Sequence, residues 1–302
     1  MSHNYQYDFE WNYNADEPKR ERLFPLFKAV FNMKESDLKA LYASGFANPT
    51  YTPFTYFHDG IAVANVSMFE LPMRIGGRRV NAAGIQSVMT DPGHRGRGLF
   101  RQLFETMLTE LDRRHEAGFL FTDSPRLYEG FGFREVEETF FVSPYRYRPG
   151  GPSTRSIRSI PSLRKLSLTN AEDVQVIQEQ FRQHAPVSSV FAPMSHGASF
   201  YLNMLDPQLQ SNLYYSEQLK ALIVCKFEGE TLKLYDIVGR RIPKLDEAAA
   251  AIGEPVSKVE CYFHPDLLHP GPWTPIPSPG HLMVRGAIEL PKQIHFPITA
   301  AF

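Results

Sequence analysis

SVMTDPGHRGRGLFRQLF, residues 87–104, is the stretch from which the fold follows. A strand-like run ends at Pro92, a basic glycine loop follows, and a helix opens at Gly98. Leu99, Leu103, Phe104, Met107, Leu108 and Leu111 then recur at helical spacing on one face, and the segment ends in Arg and His before Gly118. That pattern predicts an amphipathic helix of about five turns. Its N-terminus presents unpaired backbone N–H groups and a partial positive charge. Gly96 and Gly98 let a phosphate approach the backbone, while Arg95 and Arg97 add mobile positive charge. A loop so composed suits a pyrophosphate; the bland alternative is a solvated basic turn before a surface helix.

The surroundings narrow the ligand. From Tyr51 to Met89 the pattern is one of strands in a meander, with a turn at Gly76-Gly77. The strand before the loop therefore closes a meander rather than opening a dinucleotide-binding βαβ unit, and the loop lacks the Gly-Lys-Ser/Thr ending of a nucleotide P-loop. Coenzyme A fits better than NAD or ATP. After the helix come a short strand, FLFTD, a turn, SPRLYEGFGF, and a further strand, REVEETFFV. Strand, long helix, strand predicts a crossover between parallel strands.

Further out, Leu23, Leu26, Phe27, Val30 and Phe31 in DEPKRERLFPLFKAVFNM have helical spacing, and KESDLKALYASG suits a second short helix. Residues 144–162 turn rich in Pro, Gly, Ser and Arg and lose apolar periodicity, which predicts a linker. The expected organisation is a first domain over 1–143 and a second over 163–302. The second half repeats the element order of the first: a strand, a helix capped by Asn170, a helix near SHGASFYLNML, three strands, the helix KLDEAAAAIG and the strand VSKVECYF. Between the third of those strands and its helix, Arg240 and Arg241 stand where a glycine loop would be needed. One CoA site per chain is therefore expected.

Composition sets the outer limits. Of 302 residues 43% are hydrophobic and 22% charged, ordinary values for a globular protein with a large core. Lys and Arg total 32 against 33 Asp and Glu, so the basic excess of a nucleic-acid-binding domain is missing. Cys225 and Cys261 sit in apolar runs and read as buried reduced thiols, so neither a disulfide framework nor a metal site is expected. The polar, aromatic N-terminus is unlike a secretory signal, and no apolar run reaches the length of a membrane helix. A cytoplasmic protein without nucleic-acid or membrane partners is expected, with self-association left open.

Residues 93–98 resemble motif A of the GNAT acetyltransferases, Gln/Arg-x-x-Gly-x-Gly/Ala, with Gly96 and Gly98 in the glycine positions and Gly93 in place of the first Gln or Arg. Some thirty residues on, Tyr128, Gly132 and Phe133 resemble the family's Tyr-x-x-x-Gly-Phe motif. Within the superfamily, the stretch from Glu70 to Phe133 is similar to the enhanced-intracellular-survival type, which joins two GNAT-like lobes to a sterol-carrier-like domain and brings its C-terminal carboxylate to the active site. The resemblance implies an α/β (α+β) GNAT fold with a central mixed sheet, followed by a second, degenerate GNAT-like lobe.

It also implies the chemistry: transfer of an acetyl group from acetyl-CoA, as co-substrate, to a primary amine. A second domain that walls off the cleft favours a small-molecule amine; protein N-acetylation and a non-catalytic acyl-CoA-binding module are the alternatives. Tyr128 is the candidate acid for the departing thiolate. Val88, Met89 and Thr90 would offer main-chain groups to the pantetheine arm and the oxyanion, and Arg95, Gly96, Arg97, Gly98 and Leu99 would hold the pyrophosphate. The strand AAGIQSVM carries no carboxylate. The general base is therefore left among Asp123, Glu70 and the terminal carboxylate of Phe302, whose apolar tail FPITAAF reads as docked.

Overall fold

A computed structural model describes residues 6–149, 163–268 and 271–302. Two mixed sheets, each crossed by a helix on a β–α–β unit, form its two lobes. In the first lobe, β1 (Asp8–Trp11) precedes α1 (Glu17–Glu21), α2 (Phe24–Phe31) and α3 (Glu35–Ala43). The long meander β2 (Thr52–His58), β3 (Ile61–Ile75) and β4 (Arg78–Thr90) follows, then α4 (Leu99–Arg114), β5 (Ala117–Phe121), α5 (Arg126–Glu129) and β6 (Arg134–Glu135). The sequence spacing predicts one helix where α1 and α2 stand. Pro25 breaks it, because a proline lacks an N–H and crowds the carbonyl four residues back. Pro18 by contrast sits in the first turn of α1, where no N–H is needed, behind the Asp16 cap.

The second lobe contains β7 (Glu138–Tyr147), β8 (Leu163–Lys165), α6 (Ala171–Arg182), β9 (Phe191–Pro193), α7 (Gly197–Asn203) and α8 (Pro207–Gln210). It continues with β10 (Leu213–Ser216), β11 (Ala221–Glu228), β12 (Thr231–Gly239), α9 (Leu245–Ile252), β13 (Val256–Cys261) and β14 (Thr274–Ser278), and β15 (Leu282–Arg285) leads to the tail. The first sheet runs β1-β2-β3-β4-β5-β15-β6, with β9 on β3; the second runs β14-β7-β13-β12-β11-β10-β8.

These orders reveal an exchange. In each lobe a parallel pair flanks the crossing helix, β4 with β5 and β12 with β13. Next to β5 lies β15, delivered from beyond the second lobe, and next to β13 lies β7, delivered from the end of the first. The first half thus lends the second sheet β7, and the second half lends the first sheet β15 and, on β3, the short β9. The composition shift at residue 144 falls within β7, which continues to Tyr147 in the second sheet; the part of the expected linker at 150–162 lies outside the described residues. Apolar side chains of α4 pack onto β2–β4 in the first lobe, and those of α9 fill the corresponding place in the second. No helix among the described residues is long and apolar enough to cross a membrane.

Candidate active site

β4 and β5 pair in parallel only at Ala82, Ala83 and Gly84, opposite Ala117, Gly118 and Phe119, and then part. On the other side of β4 the register with β3 slips, so that Ser87 and Val88 together face Val66. Ser87 has φ of 56°, a left-handed conformation that costs a non-glycine residue about 1 kcal/mol and needs support. Asn65 supplies it. Its Nδ2 donates to the Ser87 carbonyl and to Ser67 Oγ, both at 2.8 Å, and its Oδ1 accepts from Thr55, which is bonded to Tyr13. Ser67 donates in turn to Tyr51 at 2.8 Å. A buried polar chain thus fixes a bulge in β4 where it leaves β5.

Past the bulge, β4 ends at Thr90, and the Asp91 carboxylate accepts from Gly93 N at 2.8 Å to close the turn. Gly96 and Gly98 have φ of 73° and 77°. A Cβ built at Gly96 would meet nothing within 4 Å, so one face of the loop is open. No side chain caps the N-terminus of α4, and no acidic residue occupies its first turn. The loop residues therefore fit an anionic phosphate, which a helix start without a competing carboxylate favours. Arg95 Nε donates to the Thr90 carbonyl at 3.2 Å. Arg97 donates to the Gly93 carbonyl at 3.0 Å and to Tyr7 Oη at 3.1 Å. Both guanidinium groups thus brace the loop, so their charge is fixed in place rather than mobile as the sequence suggests. Leu99 buries its side chain in the core and leaves only its backbone for a ligand.

Tyr128 is the third residue of the single-turn helix α5 and is buried among Phe100, Phe104 and Phe133, with ring centroids 6.0, 5.4 and 6.3 Å away. Burial pushes its phenol up to about 12, and a hydrogen bond with Thr122 at the end of β5 works in the opposite direction. It keeps its proton at any physiological pH. The turn that follows is tied down from afar: Arg285 of β15 donates to the Phe131 carbonyl and forms an ion pair with Asp112 of α4 at 2.6 Å.

A cavity of about 790 Å³ joins these parts. Ser87 and Val88 line it from β4, Thr122 and Asp123 from the end of β5, Tyr128 from α5 and Phe302 from the tail. Of the candidate site residues, Tyr128, Phe302 and Val88 thus come together. Met89 and Thr90 do not line the cavity; they pair with Asn65 and Ala64, and Met89 packs under α2. Arg95 to Leu99 also stand outside it. Among the candidate bases, Asp123 lines the cavity as an exposed side chain 3.4 Å from His281 Nδ1, and Glu70 lies outside it, paired with Arg114 at 3.4 Å.

The tail is firmly held. Asn203 Nδ2 donates to the carbonyls of Thr299 and Ala301 at 3.1 and 2.8 Å, Thr299 donates to the buried Asp236, and Phe296 N donates to Glu138 at 2.7 Å. The Phe302 ring enters an aromatic nest of Phe69, Phe121 and Phe296, with centroids 4.9, 5.3 and 6.0 Å away. In the second lobe, the matching helix start is already occupied. Glu247 accepts from the Lys244 backbone N–H at 2.7 Å and grips Arg241 with both oxygens at 2.7 and 3.0 Å, so a carboxylate of the chain itself sits where a phosphate would. Sequence reasoning missed Asn65, Ser67, Thr122 and Glu138. For Asn65 and Ser67 the signal was a polar residue interrupting an otherwise apolar strand; Thr122, at a strand end, and Glu138, beside Glu137, carried none.

Residues 14–136 match the family described as Acetyltransferase (GNAT) domain, a span that contains the bulge, the loop and Tyr128. The chain therefore carries a GNAT acetyltransferase domain. No curated protein matches it in sequence. Over both lobes its fold is similar to that of Eis1 from Mycobacterium abscessus, with a TM-score of 0.56 at 14% identity, covering 93% of this chain and 72% of that one. It is likewise similar to a protein of unknown function from Enterococcus faecalis V583 described as a probable N-acyltransferase, with a TM-score of 0.54 at 16% identity over 93% and 72% of the two chains. The similarity of fold thus extends beyond the matched domain, over both lobes.

Proposed function

We propose that this protein transfers an acetyl group from acetyl-CoA to a primary amine of a small molecule, directly, within a complex of both substrates. Support comes above all from one juxtaposition: Tyr128 and the bulge of β4 face a single cavity, next to an uncapped helix start that fits a pyrophosphate. Acetyl-CoA would supply an activated thioester carbonyl. Backbone N–H groups at Val88 and beyond would hold the carbonyl oxygen as the amine adds to its carbon. Tyr128 then gives its phenolic proton to the sulfur as the C–S bond breaks, and recovers one from solvent. The amine attacks as its free base, and the proton that its nitrogen then sheds leaves through a base, for which the carboxylates of Phe302 and of the solvent-exposed Asp123 are the candidates.

Arg95, Gly96, Arg97, Gly98 and Leu99 are assigned to the pyrophosphate and Val88, Met89 and Thr90, by their main chain, to the pantetheine arm. Because Glu247 fills the corresponding helix start of the second lobe, one CoA binds per chain. Mass spectrometry of an amine library incubated with acetyl-CoA is the test. Protein-dependent gain of one acetyl group by a small amine is expected; modification of peptides alone would move the acceptor to proteins.

A further inference from the structure

We infer that the acceptor is an amine with a single cationic group and an apolar body, rather than a polyamine. This rests on the acetyl-transfer reading and specifies its substrate. The cavity is lined by α2, α3 and the residues between them through Phe24, Phe27, Phe31, Met33, Leu38 and Leu41. Among the described residues the cavity is lined by two charged side chains, Arg20 and Asp123, besides the terminal carboxylate of Phe302. Arg20 is committed elsewhere: its guanidinium lies 3.9 Å over the Tyr42 ring and donates to the Asn14 carbonyl at 2.8 Å. Asp123 is 91% exposed and 3.4 Å from His281, so it faces solvent. With the Phe302 carboxylate engaged by the reacting amine, no carboxylate of the described residues inside the cavity is left for a second ammonium, and an ammonium stripped of water without a partner is strongly disfavoured.

The exposed surface points the same way. Five large apolar side chains are left exposed among the described residues, and two of them, Phe31 at 51% and Leu127 at 48%, belong to this cavity. An apolar body entering there is met by apolar surface.

Hexylamine and 1,5-diaminopentane form a matched pair, equal in heavy atoms and differing by a methyl group against an ammonium. With the intact protein and acetyl-CoA, kcat/KM from thiol release is expected to be at least about 10-fold higher for hexylamine, and to rise roughly fourfold per added methylene from propylamine to hexylamine. Phe31→Asp, at an exposed position, is expected to narrow the gap by favouring the diamine. Equal or better use of the diamine by the wild-type protein would overturn the inference yet leave acetyl transfer standing. Absence of thiol release with every amine would remove the acetyl-transfer reading itself.

Discussion

The ring of Phe302 meets that of Phe69 edge-on, with centroids 4.9 Å apart, and both press on Gly84 at the point where β4 and β5 part. A Cβ at Gly84 would lie 2.3 Å from Phe69 and 3.0 Å from Phe302, so only glycine admits the pair. The tail thereby reaches the cavity that holds Tyr128. Two glycines added after Phe302 move its carboxylate while leaving the anchored rings and the Asn203 and Asp236 contacts in place. If that carboxylate helps to bind or deprotonate the amine, the extended protein keeps its CoA affinity and loses turnover or acceptor affinity. Normal kinetics in a folded, extended protein would limit Phe302 to packing.

Gly98→Glu is expected to abolish binding of acetyl-CoA. The φ of 77° adds strain of about 1–2 kcal/mol for any side chain, yet the nearest atom to a new Cβ is the flexible end of Gln102 at 3.7 Å, so the fold survives. The new carboxylate would occupy the helix start as Glu247 does in the second lobe. Calorimetric titration with acetyl-CoA, beside circular dichroism of the variant, checks this.

For Tyr128→Phe, turnover is expected to fall roughly 10- to 1,000-fold with CoA affinity nearly unchanged, as for loss of a proton donor. Since burial lifts the phenol to about 12, Tyr128 stays protonated across the usual assay range, and no alkaline loss of activity below pH 10 should trace to it. A pH profile of kcat for both proteins decides the matter.

Glu138, which holds the backbone of Phe296, is pushed up by burial from an ordinary 4.5 to about 7, with the Phe296 N–H working against the rise. The folded chain binds that proton more tightly than the unfolded one. Its contribution is therefore complete below about pH 4.5 and is lost as pH rises through 7, a change on the order of 3 kcal/mol. Glu138→Gln keeps an acceptor for Phe296 without the charge. Relative to wild type, the variant should gain stability between pH 5 and pH 8, measured by thermal or denaturant unfolding.

Local patterns made much of this molecule legible. The spacing of Leu99 to Leu111, the glycines at 96 and 98 and the phrase from Tyr128 to Phe133 each depend on neighbours a few residues away, and they located α4, the loop and the acid candidate. The exchange of β7 and β15 was not legible, because a strand's sequence shows its own alternation and not the sheet it joins. Nor was the Asn65 chain: Thr55, Asn65 and Ser67 read singly as polar interruptions, and their meaning arises only when β2, β3 and the bulge at Ser87 are side by side. Glu247 likewise reads as an ordinary helix residue until Lys244 and Arg241 close on it.

Whether the β4 bulge, the α4 loop and Tyr128 form one working acetyl-transfer site is decided by free-thiol release from acetyl-CoA across an amine panel, alongside the thermal stabilisation that acetyl-CoA confers. The expected result is thiol release that depends on amine, requires Tyr128 for full rate and accompanies binding of one equivalent of CoA per chain. Stabilisation by acetyl-CoA without thiol release for any amine would contradict it and leave a protein that binds the acyl carrier without turning it over.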